Sequence, residues 1–471
     1  MAAFGKLYRL SATMLLSGLA AGELTAEELM ESTLARIEAV NPRVNAVVSL
    51  RPASELLAEA RGKDAERGGG PLHGLPIAIK DLAQTKGLRT TWGSPLLADF
   101  IPDQDDPFVA RLRAAGAIVI GKTNTPEFGL GSHSYNPVHG RTVNAWNPDV
   151  SAGGSSGGAA VALATGMLAL ADGSDMMGSL RNPAAWNNVY GFRPSYGLVP
   201  DNPTGEMFLH QLATNGPMAR SVRDLALLLD MMAGPDSRLP HSLPAQSAFS
   251  GQLEAEVRGR RIGWIGDWGG HYPMEEGVLS LCSEALATFS DLDVEVVTVQ
   301  PDFDPSAIWQ SWTTLRSWAV AAKLGAVYEN PERRAYLKPE AIWEIERGLA
   351  LSGQDIQKAS EIRSDWYRKL AALFQYYDAL ALPAAQLFPF PSEWDWPREV
   401  AGHQMESYHH WMEVVVPASL AGIPALSLPA GFGTQGLPMG FQLFGPRGGD
   451  AALLQLGQGY ARAHGEIALA P

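Results

Sequence analysis

A chain of 471 residues, 46% hydrophobic and 18% charged, is ample for a buried core and far from the composition of disordered chains. Its formal net charge of −14 comes with no basic stripe in any segment, which argues against nucleic acid as a partner. One cysteine, Cys282, excludes an intramolecular disulfide framework, and no apolar run approaches the length of a membrane span.

Lys6 and Arg9 precede residues 11–22, a stretch small and apolar enough to imitate a signal peptide. Thr25-Ala-Glu-Glu28 argues against export. A Thr followed three residues later by Glu is a capping box, and Leu29, Leu34, Ile37 and Val40 then recur in helical phase. Residues 24–62 are expected to be helical, and the chain to be cytoplasmic, in keeping with its single cysteine. From Leu72 the character changes. Leu75-Pro-Ile-Ala-Ile79 reads as a short apolar strand ending on Lys80-Asp81. Residues 108–115 read as an amphipathic helix and 116–121 as a buried β-branched strand. Turn residues dominate 136–158, closing with Gly153-Gly-Ser-Ser-Gly-Gly158, and 159–167 suits a tightly packed helix.

Further on, 206–245 is a Pro-punctuated stretch around a helix at 222–232. Residues 253–300 read as strand (261–265), helix (276–289) and strand (294–298). A largely helical, Trp-rich segment fills 305–380, and strands return at 379–382, 425–428 and 440–444. Strand and helix alternate with neither linker nor repeat. That predicts an α/β fold: a single large domain with a central mixed β-sheet covered on both faces by helices. Within it, 1–70 is an N-terminal helical segment, 71–200 carries the chemistry, and 201–471 supplies the remaining sheet, helices and substrate-side loops.

Three features could carry chemistry. The loop 153–158 lacks the Gly-Lys-Ser/Thr ending of a phosphate loop. Gly153-x-Ser155-x-Gly157 formally matches the nucleophile elbow of α/β-hydrolases, but that elbow needs a buried strand before the serine, and 146–152 is no strand. Lys80 ends an apolar run; burial there would disfavour the ammonium and lower its pKa, as a lysine base requires, while a solvated strand end is the plainer alternative. Gly178-Ser179, after Met176-Met177, is either a simple turn or a serine on a nest of successive N–H groups able to hold an oxyanion.

Their order and spacing resemble the amidase signature family. The motifs are Leu75-Pro-Ile-Ala-Ile-Lys-Asp81, Arg113-Ala-Ala-Gly-Ala-Ile-Val-Ile-Gly-Lys-Thr-Asn124, Pro126-Glu-Phe128, the loop 153–158, and Asp175 with Gly178-Ser-Leu-Arg181. Pro183-Ala-Ala185, Gly191-Phe-Arg-Pro-Ser-Tyr-Gly197, Ala421-Gly-Ile-Pro-Ala425 and Gly436-Leu-Pro-Met-Gly440 continue the match, which runs from about residue 24 to 463. The resemblance implies a Ser–cis-Ser–Lys triad. Ser179 would be the nucleophile, Ser155 the proton bridge behind a cis Gly154–Ser155 bond, and Lys80 the base. The backbone N–H groups of Met176, Met177, Gly178 and Ser179 would be the oxyanion donors. It further implies a small-molecule amide, carbamate or related ester as substrate, with no cofactor and no metal.

Met177 departs from the family, which commonly has a second glycine there; its side chain either restricts the substrate or packs back into the core. Trp309, Trp394 and Tyr408, with Trp312 and Trp396, either line an apolar cleft or fill the core. His133, His139, His403, His409 and His410 lack metal-ligand spacing and are expected at the surface or in hydrogen bonds. Two rival readings stand beside the amidase. One is the glutaminase subunit of a tRNA-dependent amidotransferase, which the Met-Met pair and the Trp-rich segment do not resemble. The other is an α/β-hydrolase pairing Ser155 with a late histidine such as His464. The expected partners are a small-molecule amide and a second copy of the chain as a homodimer, with neither nucleic acid nor membrane.

Overall fold

The computed structural model describes residues 4–66, 69–244 and 247–471. Strands β1 (Val47–Val48), β2 (Pro76–Lys80) and β3 (Ile118–Thr123) form a small sheet in the order β1-β3-β2. β2 and β3 are parallel and every residue of both is buried, so each reads as an unbroken apolar run ending on polar residues. Ile79 lies opposite Lys122 and Lys80 opposite Thr123.

The large sheet has eight strands: β4 (Leu170–Asp175), β5 (Tyr190–Arg193), β6 (Thr214–Ala219), β7 (Arg261–Trp264), β8 (Glu295–Thr298), β9 (Ala379–Pro383), β10 (Ala425–Phe432) and β11 (Pro438–Phe444). Their order is β8-β7-β9-β11-β10-β5-β6-β4, parallel among the first three and antiparallel beyond. Helices flank this mixed sheet, the α/β architecture expected. The strand carrying Lys80 is not part of it. It reaches the edge strand β4 through Lys80, whose N donates to Asp172 Oδ1 and whose Nζ donates to Ser174 Oγ, both at 3.0 Å.

At the N-terminus, residues 12–21 form helix α1 (Ala12–Ala21), capped by Ser11 and closed by Gly22 in the left-handed conformation. Ala12 N and Thr13 N both donate to the Asp224 carboxylate at 2.9 Å, so the stretch that imitates a signal peptide is fastened to the fold. Thr25 and Glu28 do form a reciprocal capping box, opening α2 (Ala26–Val44). Helicity is then interrupted, contrary to a continuous reading of 24–62. Asn45 turns left-handed and β1 intervenes before α3 (Ala53–Ala65). No helix among the described residues is long and apolar enough to cross a membrane.

Helix α4 (Pro107–Ala114) precedes β3, and α5 (Gly157–Ala164) follows the glycine-rich loop with all eight residues buried. Its small side chains are demanded by proximity: a Cβ on Gly158 would stand 2.3 Å from Asn124 N. Helix α6 (Arg181–Trp186) follows the Ser179 turn, and α7 (Val222–Met232) matches its expected bounds. After α8 (Val278–Ala287), the long α9 (Pro305–Glu329) opens with Pro at its first position behind an Asp304 cap. The core is continuous around Trp186, whose ring stacks on Trp411 with centroids 5.3 Å apart.

Candidate active site

Lys80 is the last residue of β2, and 1% of it is exposed. Its Nζ donates to Ser155 Oγ at 2.8 Å, Ser156 Oγ at 2.9 Å and Ser174 Oγ at 3.0 Å, with Ser174 O at 3.4 Å. All four partners are neutral oxygens. Burial pushes its pKa down to about 7, partly opposed by the carboxylates of Asp172 and Asp175. Burial thus favours the free amine over the ammonium here.

Ser155 lies in the turn entering α5, behind a cis Gly154–Ser155 peptide bond. Two serines from the preceding loop hold this turn. Ser132 Oγ donates to Gly154 O, and Ser134 Oγ donates to Gly153 O at 2.9 Å while accepting from Gly157 N at 3.1 Å. The chain before Ser155 is irregular, not a strand, so the nucleophile-elbow alternative fails on its structural condition. Its supposed partner His464 ends the C-terminal helix, bonded to Tyr460 Oη at 3.1 Å.

Ser179 follows β4, on the turn 176–179, and its backbone is tied to Ser155's neighbour by Ser156 N donating to Ser179 O at 3.3 Å. Its hydroxyl has no hydrogen-bond partner among the described residues, while that of Ser155 is engaged by Lys80. Asp175 builds the turn from beneath. Its carboxylate accepts from Gly178 N at 2.9 Å and Leu180 N at 3.2 Å, and from Arg181 Nε and Nη2, both at 3.0 Å. Arg193 Nη1 adds a contact at 3.1 Å. Burial alone would raise the Asp175 pKa; Arg181 and Arg193 overcome it and hold the carboxyl far below the usual range.

This arrangement corrects the expected set of oxyanion donors. The Gly178 N–H points at Asp175 Oδ1, because the carboxylate reaches back under its own turn, and only the N–H groups of Met176, Met177 and Ser179 are without partners among the described residues. Gly178 matters for another reason. Its φ is +77°, and a Cβ there would lie 2.3 Å from Asn182 Oδ1 and 2.7 Å from Val415 Cγ2.

Met177 is corrected as well. Its side chain is buried, and its sulfur accepts from Trp312 Nε1 at 3.2 Å, so it packs into the core and does not face a substrate. Met176 is the half-exposed one, its sulfur 3.4 Å from Arg316 Nη1. Trp312 is wholly buried, and Trp309 packs against the rings of His409 and His410. Trp394 stacks on Phe390 at the surface, 47% exposed. Tyr408 does line a cavity, one of only about 10 Å³, with Ser132, Tyr135, Trp396 and Trp411, while its hydroxyl is held by Arg316 at 2.7 Å and Glu344 at 2.9 Å. His133 and His409 are buried and hydrogen-bonded, and burial lowers both pKa values to about 4.

Residue patterns gave no sign of Ser156 and Ser174 as partners of Lys80, or of Arg193 behind Asp175. Nor did they single out Lys122, a second fully buried lysine, whose Nζ donates to Ala83 O at 2.6 Å and Thr85 Oγ1 at 2.8 Å. The available signal was a lysine closing a β-branched run with no charged neighbour.

A buried lysine bonded to Ser155, Ser156 and Ser174, beside Ser179 on a turn with three unpartnered N–H groups among the described residues, defines a serine–lysine site beside a mixed sheet. The amidase family profile matches residues 28–454, and the chain belongs to that family of hydrolases acting on carbon–nitrogen amide bonds. It is 35% identical over 462 residues to an acylamidase of Rhodococcus erythropolis, covering 95% of this chain and 94% of that one. It is 37% identical over 473 residues to a glutamyl-tRNA(Gln) amidotransferase subunit of Thermus thermophilus, covering 94% and 96%. A bacterial aryl acylamidase of the amidase signature family superposes with a TM-score of 0.90 at 28% identity, covering 96% of each chain.

Proposed function

We propose that the chain is a stand-alone, cytoplasmic serine hydrolase that cleaves a small or medium carboxylic amide with an aryl or apolar acyl group, through an acyl-enzyme on Ser179. The observation that carries this reading is the 2.8 Å contact between the buried, partly neutral Lys80 and Ser155 Oγ, beside a Ser179 hydroxyl with no partner of its own. Lys80 accepts a proton from Ser155 as Ser155 accepts one from Ser179, whose oxygen bonds to the carbonyl carbon. The charge developing on the carbonyl oxygen meets the N–H groups of Met176, Met177 and Ser179. Ser155 then protonates the leaving nitrogen, Lys80 replaces that proton, and water releases the acyl group by the same relay. The names of the acylamidase relatives support an aryl or apolar acyl group.

The likeness to the amidotransferase relative carries a second reading, in which the chain deamidates glutamine within a complex. One panel separates the two: anilides of aromatic and aliphatic acids, primary amides of the same acids, carbamates and glutamine presented to the purified chain. Hydrolysis of anilides, with loss of turnover in Ser179→Ala and Lys80→Ala, is expected. Glutamine as the preferred substrate, or full activity in Lys80→Ala, would sink the stand-alone reading or the mechanism respectively.

A further inference from the structure

Lys80, Ser155 and Ser179 are all buried, so a substrate meets them where half-buried residues border the three. Ser155 hands its proton to the leaving nitrogen, and the amine half of the substrate therefore extends past Ser155 Oγ. Gly129 stands beside that hydroxyl. Its φ is +71°, and a Cβ on it would lie 3.8 Å from Ser155 Oγ and 2.8 Å from Leu82 Cδ1. The space next to the proton bridge is thus bounded by bare backbone and by the half-buried side chain of Leu82, two residues after Lys80.

The residues beside these are aromatic, and their backbone is strained. Phe128 has a φ of +50° and Trp92 one of +51°, the left-handed region that bulky side chains rarely adopt. Phe128 N donates to Trp92 O at 2.8 Å, and the two rings meet edge to face with centroids 6.3 Å apart. Thr91 N donates to Asp81 Oδ1 at 3.0 Å, which ties the Trp92 turn to the residue after Lys80. Both rings are half-buried. The Trp92 indole N–H has no partner among the described residues, and Lys323 Nζ lies 4.9 Å from the centre of its ring. Strain of this kind persists where surrounding bonds enforce it, and it concentrates at ligand sites.

We propose that Leu82, Gly129, Phe128 and Trp92 form the subsite for the leaving amine, and that they select an aromatic amine, so that the substrate is an N-aryl amide. A flat ring on the leaving nitrogen fits beside Gly129, where any side chain would intrude, and packs against Leu82 and the Phe128 ring. Ammonia, released from a primary amide or from glutamine, reaches none of these surfaces and gains nothing from them. An amine carrying an ammonium group meets an apolar wall backed by the Lys323 cation, which penalises it.

This inference rests on Ser155 as the proton donor to the leaving nitrogen, and it adds the amine half to the proposed substrate. kcat/KM is measured for the anilide, the 2-naphthylamide and the primary amide of one acid, on the wild type, Phe128→Gly and Leu82→Ala. Glycine suits a φ of +50°, so Phe128→Gly removes the ring without adding strain. The ratio of anilide to primary amide is expected to fall about ten-fold in Phe128→Gly. Leu82→Ala is expected to raise the ratio of naphthylamide to anilide by about the same factor. Equal losses on anilide and primary amide in Phe128→Gly would show a merely structural role and overturn the inference. Should Phe128→Gly fail to fold, Leu82→Ala decides: a raised naphthylamide ratio supports the subsite, and an unchanged one refutes it. A wild type that hydrolyses the primary amide and not the anilide overturns the subsite and leaves the serine-hydrolase reading standing. Hydrolysis of none of the three, with turnover of glutamine, sinks both.

Discussion

Lys80→Met should abolish catalysis and also change how stability depends on pH. In the folded protein burial takes the Lys80 pKa from 10.5 to about 7, so the unfolded chain binds the extra proton between those values. Stability therefore rises with pH across the window from about 7 to 10.5 and is flat below it, because the group is protonated in both states under acid conditions. At one pKa unit for about 1.4 kcal/mol, the full penalty of folding around this lysine is on the order of 4–5 kcal/mol at acid pH. Half-protonation at pH 7 lowers it slightly, and by pH 9 only about 2 kcal/mol remains. Methionine carries no such penalty, though it leaves three serine hydroxyls without their donor, a cost with no pH dependence in this range. The stability of Lys80→Met minus that of the wild type should therefore shrink by about 2 kcal/mol between pH 7 and pH 9. Urea unfolding of both proteins at both pH values measures it. A difference that stays constant between pH 7 and 9 would mean that Lys80 folds as an ammonium, and the proton relay would lose its acceptor.

Gly178→Ala places a Cβ 2.3 Å from Asn182 Oδ1 at a left-handed φ, so the Ser179 turn must shift; kcat/KM should fall about 100-fold or more, read by anilide hydrolysis beside a thermal melt showing a folded protein. Asp175→Asn leaves Arg181 and Arg193 buried without their carboxylate and should cost about 3–5 kcal/mol in urea unfolding; a loss under 1 kcal/mol would mean the pair is not the anchor of the turn. Met177→Ala should cost about 2–5 kcal/mol by opening a cavity against Trp312 while leaving the ranking of amides by acyl size unchanged. Met176→Ala should shift that ranking toward larger acyl groups, and the reverse pattern in the two variants would restore Met177 as the substrate wall.

The candidate motifs were each ambiguous alone, and only their order and spacing, through the family resemblance, told them apart. A lysine at the end of an all-apolar strand, serines among glycines, and a glycine forced to positive φ before Ser179 all leave traces in residue type. The helices were legible for local reasons, the Thr25–Glu28 cap above all. β4, β5 and β6 were not. Leu-Ala-Asp-Gly-Ser-Asp and Thr-Asn-Gly-Pro-Met-Ala are poor strand formers in isolation, and they are extended here because each pairs with the other along its length. The partners of Lys80 escaped for a related reason: Ser156 and Ser174 come from different elements, and only the packing of β2 against β4 brings them to one amine. The Gly178 N–H could not be assigned from spacing either, because a nest of N–H groups looks the same in sequence whether an oxyanion or an internal carboxylate fills part of it.

The two methionines before Gly178 show how the structure compensates when such a local rule is broken. Trp312 and Arg316 stand four residues apart on α9 and so share one face. Trp312 donates to the Met177 sulfur and Arg316 to the Met176 sulfur, so the helix holds both side chains of the turn that precedes the nucleophile. A thioether is a weak acceptor, and Arg316 is fixed mainly by Glu344 at 2.6 Å and by the Tyr408 hydroxyl, a cluster that also places Tyr408 on the cavity wall. The bulk that replaces glycine at 177 is thus absorbed into the core by α9, and of the two methionines only Met176 keeps part of its surface exposed. On the proposed mechanism, selectivity among amides should therefore respond to changes at Trp312 and Arg316, which hold α9 against the Asp175–Ser179 turn, more than to the residue at 177, and the amide panel run on Trp312→Phe and Arg316→Lys checks it.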